Sequence, residues 1–136
     1  MTTTRPVLNS NFLVDFGDGK ARQESHGFSE VLLPEFRQDP GTLPPPAEAD
    51  GHLILKRGVR GSLDLYTWWD QTRHGLVPPR PKVTVQLLGP DRRTAVLTWT
   101  FHQVHPVALS YSPLRAQENE VVIETLELAF DRFELS

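Results

Sequence analysis

The most informative absence in this 136-residue sequence is cysteine, because the chain contains none. Without thiols it cannot form a disulfide framework, a thiolate zinc site or a cysteine nucleophile. Long apolar runs are also missing, since no window approaches the roughly eighteen apolar residues of a membrane-spanning helix. Residues 1–6 lack the apolar segment of a signal peptide. We therefore expect synthesis in the cytoplasm and no membrane-spanning segment.

An excess of basic residues is missing as well. Fourteen Lys and Arg stand against seventeen Asp and Glu, which gives a formal net charge of -3. Tight phosphate contact requires a basic face, so the charge disfavours direct nucleic-acid binding. Hydrophobic residues make up 38% of the chain, enough to bury a core, and the length fits one domain. We predict a single domain over residues 1–136.

The familiar catalytic and ligand-binding motifs are absent too. The sequence contains no nucleophile elbow, zinc-protease motif, phosphate loop or dinucleotide fingerprint. His102 and His105 would point to opposite faces of a strand and so could not share a metal without a bulge. Glu124 and Glu127 are separated in the same way, which disfavours a paired-carboxylate site. We predict no enzyme activity, catalytic residue, metal, cofactor or small-molecule substrate.

Apolar residues alternate with polar ones through most of the chain, a pattern typical of strands. A turn at residues 89–93 joins two such segments into a hairpin. Pro106 cannot donate a ladder hydrogen bond, so it must lie at an edge or a bulge. The predicted strands cover residues 11–16, 27–33, 52–57, 83–87, 96–101, 104–111 and 120–131.

One helix is predicted over residues 62–74, with Ser62 as its N-cap and Gly75 after its end. Leu65, Trp68 and Trp69 share one face, so the helix should dock through its tryptophans. Adjacent helical positions lie about 100° apart, and two such rings cannot make one flat sugar-stacking platform. Packing in the core or at an interface is therefore favoured over carbohydrate binding.

The segment 34–51 has a different composition from the rest of the chain. It contains Pro40, the run of three prolines at 44–46 and few large apolar side chains. Such a segment favours extended backbone and buries little surface. We predict a long loop, and loops of this length in a compact domain are often functional.

The last predicted strand, residues 120–131, indicates an assembly. Twelve residues would extend about 40 Å, comparable to the diameter of a domain this size. A strand that long, apolar on both faces, needs more cover than one small domain provides, so neighbouring subunits should complete it. Glu124 interrupts the row formed by Val122, Leu126, Leu128 and Phe130. Its buried carboxylate requires a partner, with Arg57 and Lys56 as candidates within the chain or across a subunit boundary.

Several segments together resemble the tail tube proteins of contractile bacteriophages and phage-tail-like contractile injection systems. They are residues 11–16, 27–31, 55–58, 99–106 and, above all, 119–128. Their order and spacing are similar over nearly the whole chain. Residues 34–51 depart from the family, which usually carries a longer hairpin there.

The resemblance implies a mainly β fold of two packed antiparallel sheets with one α-helix. It implies six subunits in a ring with a continuous inner β-barrel, and rings stacked into a tube inside a sheath. The implied partners are the protein itself, sheath, baseplate and cap proteins, and an effector or DNA as cargo in the lumen, which we expect to be polar and acidic. The alternatives are a tube-initiating baseplate adaptor or, from another class, a carbohydrate-binding β-sandwich.

Two groups of residues are candidates for assembly contacts. The first group comprises candidates for packing or for contact between subunits: Arg57, Trp68, Trp69, Glu124, Leu126 and Leu128. The second group comprises candidates for contact between rings, all in the proline-rich loop: Phe36, Leu43 and Pro45.

Overall fold

The computed structural model describes residues 6–17, 27–37, 51–76 and 80–136. These residues form strands β1 (Phe12–Asp15), β2 (Phe28–Leu32) and β3 (Leu53–Gly58), helix α1 (Asp64–Arg73), and strands β4 (Arg80–Leu88), β5 (Ala95–Tyr111), β6 (Ile123–Ala129) and β7 (Arg132–Leu135). Leu43, Pro45 and most of the predicted 34–51 loop lie outside the described residues. In the described part of the chain, no helix is long and apolar enough to cross a membrane.

Two antiparallel sheets share strand β5. We call sheet I the set of β1, β4, the first half of β5 (residues 95–104) and β7. Sheet II contains β2, β3, β6 and the second half of β5 (residues 105–111). The strand path runs β1-β4-β5-β6-β3-β2, with β7 beside β5, and does not close on itself.

Strand β5 passes from one sheet to the other at two irregularities. Gln103 has a φ of 56°, and the register with β6 shifts between Pro106 and Ala108. Bulges of this kind bend a strand, so one chain segment can serve both sheets. The sequence predicted two separate strands here, whereas the structure has one of 17 residues. The predicted irregularity at Pro106 is confirmed.

The core lies between the two sheets and α1. Phe101 stacks with Phe133 at 5.5 Å and meets Phe130 edge-on at 5.0 Å, while Phe16 contacts Trp68 at 5.7 Å between ring centroids. Such pairs add about 0.5–1.5 kcal/mol beyond the area they bury. Among the described residues, the fully buried side chains are Val14, Leu53, Leu55, Leu65, Val83, Phe101, Val104, Leu126 and Leu128.

The last long strand is shorter than predicted. The sequence pattern gave residues 120–131, but β6 spans only Ile123–Ala129. Strand β6 begins at Ile123, where Ser112 binds it twice. The Ser112 N–H donates to the Ile123 carbonyl, and the Ser112 hydroxyl accepts the Ile123 N–H. At the end of β6 the chain turns into β7, which the sequence analysis missed although Phe133 and Leu135 alternate with polar residues. Seven residues extend about 23 Å, so the argument from a strand of about 40 Å is wrong.

Helix α1 begins two residues later than predicted. Leu63 occupies the N-cap position without a side-chain hydrogen bond, so the prediction of Ser62 as N-cap is wrong. The Ser62 hydroxyl instead donates to Asp64 at 2.9 Å, and Asp64 accepts the Leu65 N–H at 2.9 Å. The carboxylate therefore takes over the capping role from inside the first turn.

Candidate assembly interface

Sheet II has two unpaired edges within the described residues. Strand β2 pairs only with β3, and the second half of β5 pairs only with β6. The Ser112 N–H points toward β6, where it binds Ile123 at 2.9 Å. By the alternation of an antiparallel ladder, the N–H groups of Leu109 and Tyr111 point to the open side. Such rows of open donors and acceptors are templates for pairing with another chain.

The directions of the two edge strands make them complementary. Each of the pairs β2–β3, β3–β6 and β6–β5 is antiparallel, so β2 and the second half of β5 run in opposite directions. If copies were arranged around a circle, β2 of one would meet β5 of the next in an antiparallel pair. The alternation of sheet II would then continue unbroken across the junction.

The face of sheet II that points away from the core is concave and mostly polar. One row of side chains across the four strands consists of Glu30, Lys56, Thr125 and Ser110. This row lines a depression of about 420 Å³ that reaches from β2 to β5. A concave sheet face with polar side chains is suited to line a water-filled interior.

A second row on the same face lies one pleat further along. Its members are Leu32, Ile54, Glu127 and Ala108. The carboxylate of Glu127 lies 2.5 Å from His52 Nδ1 and accepts a hydrogen bond when that nitrogen carries a proton. The face therefore carries two carboxylates, Glu30 and Glu127, and the single ammonium of Lys56.

The opposite face of sheet II carries a buried polar network. Glu124 is 3% exposed and Arg57 is 6% exposed. Arg57 Nε donates to Glu124 Oε1 at 2.7 Å, and its terminal nitrogens donate to Asp64 at the start of α1. The Tyr111 hydroxyl donates to Glu124 Oε2 at 2.5 Å. The network thus connects β3, β5, β6 and α1.

This environment shifts three pKa values. Burial tends to lower the pKa of Arg57, but its hydrogen bonds to Asp64 and Glu124 outweigh burial and raise that pKa. Burial raises the pKa of Tyr111, as does its hydrogen bond to Glu124, and together they bring it to about 12. Burial also tends to raise the pKa of Asp64, but the hydrogen bonds from Arg57 and Ser62 outweigh it and lower that pKa to about 2. These shifts keep Asp64 ionised and Arg57 and Tyr111 protonated over a wide pH range.

The structure places five of the six candidates for packing or subunit contact inside the protomer. Arg57 is the partner that the buried Glu124 required, and the pair lies within one chain. Tyr111 and Asp64 were missed as members of the network. No sequence signal identifies Tyr111, because its position opposite Glu124 depends on the register between β5 and β6. The five buried candidates are Arg57, Trp68, Glu124, Leu126 and Leu128.

The two helical tryptophans have different environments. Trp68 is 4% exposed and packs in the core, whereas Trp69 lies half-buried on the flank of α1. The guanidinium of Arg73 covers the Trp69 ring at 4.8 Å, and Tyr66 lies beside it at 6.3 Å. The expectation that both rings dock the helix is therefore wrong for Trp69. Since one ring is buried and the other covered, they form no sugar-stacking platform.

Comparison with known proteins agrees with this geometry. A family model described as T4-like virus tail tube protein gp19 matches residues 8–134. The chain belongs to this tail tube family. No curated protein sequence is significantly similar to the chain. The resemblance stated from the sequence segments is confirmed, and this is a family of structural tube proteins.

Solved structures show the same fold over the full length of this tail tube family member. A chain of the anti-feeding prophage cap, the AFP tube terminating cap, is 17% identical with a TM-score of 0.79, over 100% of this chain and 94% of the other. A chain of the PVC sheath-tube complex, an extracellular contractile injection system in the extended state, is 20% identical with a TM-score of 0.74, over 100% and 99%. A chain of the six-fold symmetrised AFP baseplate is 22% identical with a TM-score of 0.64, over 98% and 97%. The predicted two-sheet fold with one helix is confirmed.

Proposed function

We propose that this tail tube family member is a structural subunit of the inner tube of a contractile injection system or phage tail. In this role copies of the chain form rings, and the rings stack into a hollow tube. The observation that carries the proposal is the pair of complementary open edges on sheet II. A closed ring pairs every such edge, which removes the aggregation hazard that they pose in the isolated protomer.

Six copies per ring is the stoichiometry that we propose. Its support is the six-fold symmetry stated for the baseplate structure that this chain resembles. Sheet II contributes four strands per copy, so six copies make a barrel of four times six, or 24, strands. Barrels of about 16–18 strands already leave an aqueous channel, so a larger barrel encloses a wide lumen.

The concave face of sheet II would line this lumen. Its charged groups, Glu30, Lys56 and Glu127, carry a small negative excess when His52 is neutral. A weakly acidic wall does not bind an anionic cargo through counterion release, so the cargo can move. This assignment agrees with the polar, acidic lumen expected from the sequence, and it suits either an effector protein or DNA as cargo.

The proposed tube has partners at its side and its ends. The related structures are a sheath-tube complex, a tube terminating cap and a baseplate, and we propose the corresponding proteins as partners of this chain. We propose that the chain has no catalytic activity and is synthesised in the cytoplasm before it enters a phage-tail-like particle. The baseplate match also supports a second candidate, a tube-initiating adaptor.

Purified protein examined by mass photometry and negative-stain microscopy tests the proposal. We expect ring-shaped particles with the mass of six protomers, together with rods at high concentration. A monomer that persists over a wide concentration range would contradict the tube function. Immunogold labelling of whole particles then separates the two candidates, because a tube subunit is labelled along the whole rod and an adaptor only at one end.

A further inference from the structure

The segment that joins β5 to β6 forms an open cavity at one end of sheet II. We call this segment, residues 112–122, the arch. It borders a cavity of about 550 Å³, lined by apolar side chains such as Leu114 and Val121 and by the charged Arg115 and Glu118. Leu114 is 82% exposed and Val121 is 69% exposed, so the arch presents apolar surface that the described part of its own protomer leaves uncovered.

The arch nevertheless has a fixed backbone geometry. At its start the Ser112 N–H donates to the Ile123 carbonyl at 2.9 Å. At its end the Val122 carbonyl accepts the Val59 N–H at 2.9 Å. A Cβ placed on Gly58 would lie 3.1 Å from Val121 Cγ1, so the arch returns closely over the end of β3. The cavity is therefore preformed, which lowers the entropic cost of filling it.

Sheet II carries a second uncovered segment at its other end. We call residues 33–37, which follow β2, the rim segment. The ring of Phe36 packs against that of Phe133, with 4.2 Å between the centroids, and Phe36 is nevertheless 53% exposed. Leu33 is 39% exposed, and the side chains of Glu35 and Arg37 extend into solvent. The rim segment lies next to the start of β3, and the arch lies next to the end of β3. The six residues of β3, about 20 Å, therefore separate the two segments.

The charges of the two segments are complementary. The rim segment presents an acid, Glu35, and a base, Arg37, on either side of Phe36. The arch presents the base Arg115 beside Leu114 and the acid Glu118, and these two side chains form an exposed ion pair at 3.5 Å at the border of the cavity. Opposite charges around an apolar centre are the pattern of a specific contact, in which charge fixes the register and apolar burial supplies affinity.

We propose that the cavity bordered by the arch receives the rim segment of a second copy of this chain in the next ring. The proposal rests on the tube function proposed above and identifies both sides of the contact between rings. Because the two surfaces lie at opposite ends of sheet II, the contact is head-to-tail and leaves a free surface of each kind. A heterologous contact of this kind extends into an open stack instead of closing.

Ring symmetry separates this contact from the contact within a ring. Rotation about the tube axis places every arch at one rim of a ring and every rim segment at the other. Neighbours in one ring therefore cannot bring an arch to a rim segment, whereas stacked rings can. A covalent link between the two segments consequently reports stacking alone.

Disulfide trapping tests the proposal, since the natural chain lacks cysteine. The double variant Glu35→Cys/Arg115→Cys places one thiol in each segment, and the separation of the segments exceeds the roughly 7 Å limit between Cα atoms in one chain. We expect oxidation of assembled protein to give a ladder of covalent oligomers well beyond the dimer. Each single variant can give at most a dimer, and Arg93→Cys/Arg115→Cys, which uses the hairpin turn after β4, is the mismatched control.

Each outcome of the trapping experiment has one meaning. Rods without a ladder would overturn the contact and leave the tube function standing, whereas absence of both rings and rods would overturn the function as well. Efficient dimers of the Arg115→Cys single variant would assign the cavity to a pairing of two arches and would also overturn the proposal. An equal ladder from the mismatched pair would show that the cross-links are nonspecific, with the same consequence.

Charge reversal provides an independent readout on the same contact. Glu35→Arg and Arg115→Glu each place like charges together at the ring junction, so we expect rods to appear only at about tenfold higher protein concentration. The double reversal should restore the original threshold, while all three variants form rings normally. Unchanged thresholds in the single variants, or no restoration in the double variant, would contradict the contact.

Discussion

At the scale of single residues, Glu124 shows how one carboxylate can organise several elements. It accepts hydrogen bonds from Arg57 on β3 and Tyr111 on β5, and Arg57 continues to Asp64 on α1. The alternation of apolar residues along the C-terminal strand was sufficient to predict that Glu124 faces the core. The need to pair a buried carboxylate then made Arg57 a candidate partner. The other two partners could not be read from the sequence, because they depend on the hairpin register and on the docking of α1.

Neutralising Glu124 tests the energetic role of this network. We expect Glu124→Gln to lower the free energy of unfolding by about 3 kcal/mol, since a buried guanidinium loses one of its two carboxylate partners. Glu127→Gln is the matched control on the same strand, and its exposed pair with His52 should contribute less than about 1 kcal/mol. Denaturant unfolding measures both, and equal losses in the two variants would show that burial of the pair is unimportant.

Acid should weaken the network through Asp64. The folded-state pKa is about 2 and the ordinary value is 3.8, so the unfolded chain binds protons more readily. The contribution of Asp64 is therefore complete above about pH 4 and is lost as the pH falls toward 2.

We expect thermal unfolding scans across this window to show a smaller loss of stability in Asp64→Asn than in the wild type. The Thr94 side chain and backbone hydrogen bonds also lower the pKa of the exposed Asp91 to about 2, so Asp91→Asn is measured alongside. If the wild type and Asp64→Asn lost stability in parallel, the ion pair with Arg57 would not be coupled to folding.

At the scale of elements, local patterns identified most strands, while tertiary contacts set their limits. The hairpin of β4 and β5 followed from alternation and a turn, and it is confirmed. The continuity of β5 was missed because the two predicted strands, 96–101 and 104–111, leave residues 102 and 103 between them, whereas the structure continues through a bend at Gln103. The end of β6 was misplaced because apolar alternation persists beyond Ala129 into Phe130, which packs in the core after the ladder has ended.

Hydrogen exchange at the open edge of β5 tests the element that joins the subunits. The N–H groups of Leu109 and Tyr111 have no ladder partner among the described residues of the protomer, so they should exchange rapidly at low protein concentration. In assembled rings we expect their protection to rise by at least about tenfold. The Ser112 N–H, which binds Ile123 within the chain, is the internal control and should be protected in both states. Edge amides that remain unprotected in rings would place the subunit contact elsewhere.

At the scale of the whole molecule, the sequence indicated an assembly because one predicted strand was too long for a single domain. The structure indicates an assembly for a different reason, the two open edges of sheet II. The strand expected to need outside partners is only seven residues long, and the open edges belong to β2 and β5. Sequence patterns do not show which strands end at a sheet margin, because strand order depends on long-range pairing. The family resemblance supplied the architecture that local patterns could not.

The proposed lumen can be tested by changing its charge. Glu30→Lys/Glu127→Lys turns the concave face of sheet II basic, so rings of this variant should retain a short single-stranded oligonucleotide in a salt-sensitive manner. The wild type should not retain it. Asp131→Lys/Glu134→Lys makes the same change of charge outside sheet II and is the matched control. Equal binding by the two variants in a filter assay would show that the concave face is not an enclosed wall.

A cryo-EM reconstruction of rings assembled from the purified chain shows directly whether the two open edges of sheet II pair between subunits. We expect a six-fold ring in which β2 of each protomer hydrogen-bonds to the second half of β5 of its neighbour, so that sheet II continues around the lumen. A ring that left these two edges unpaired, or a protein that remained monomeric at the concentrations used for imaging, would contradict this arrangement.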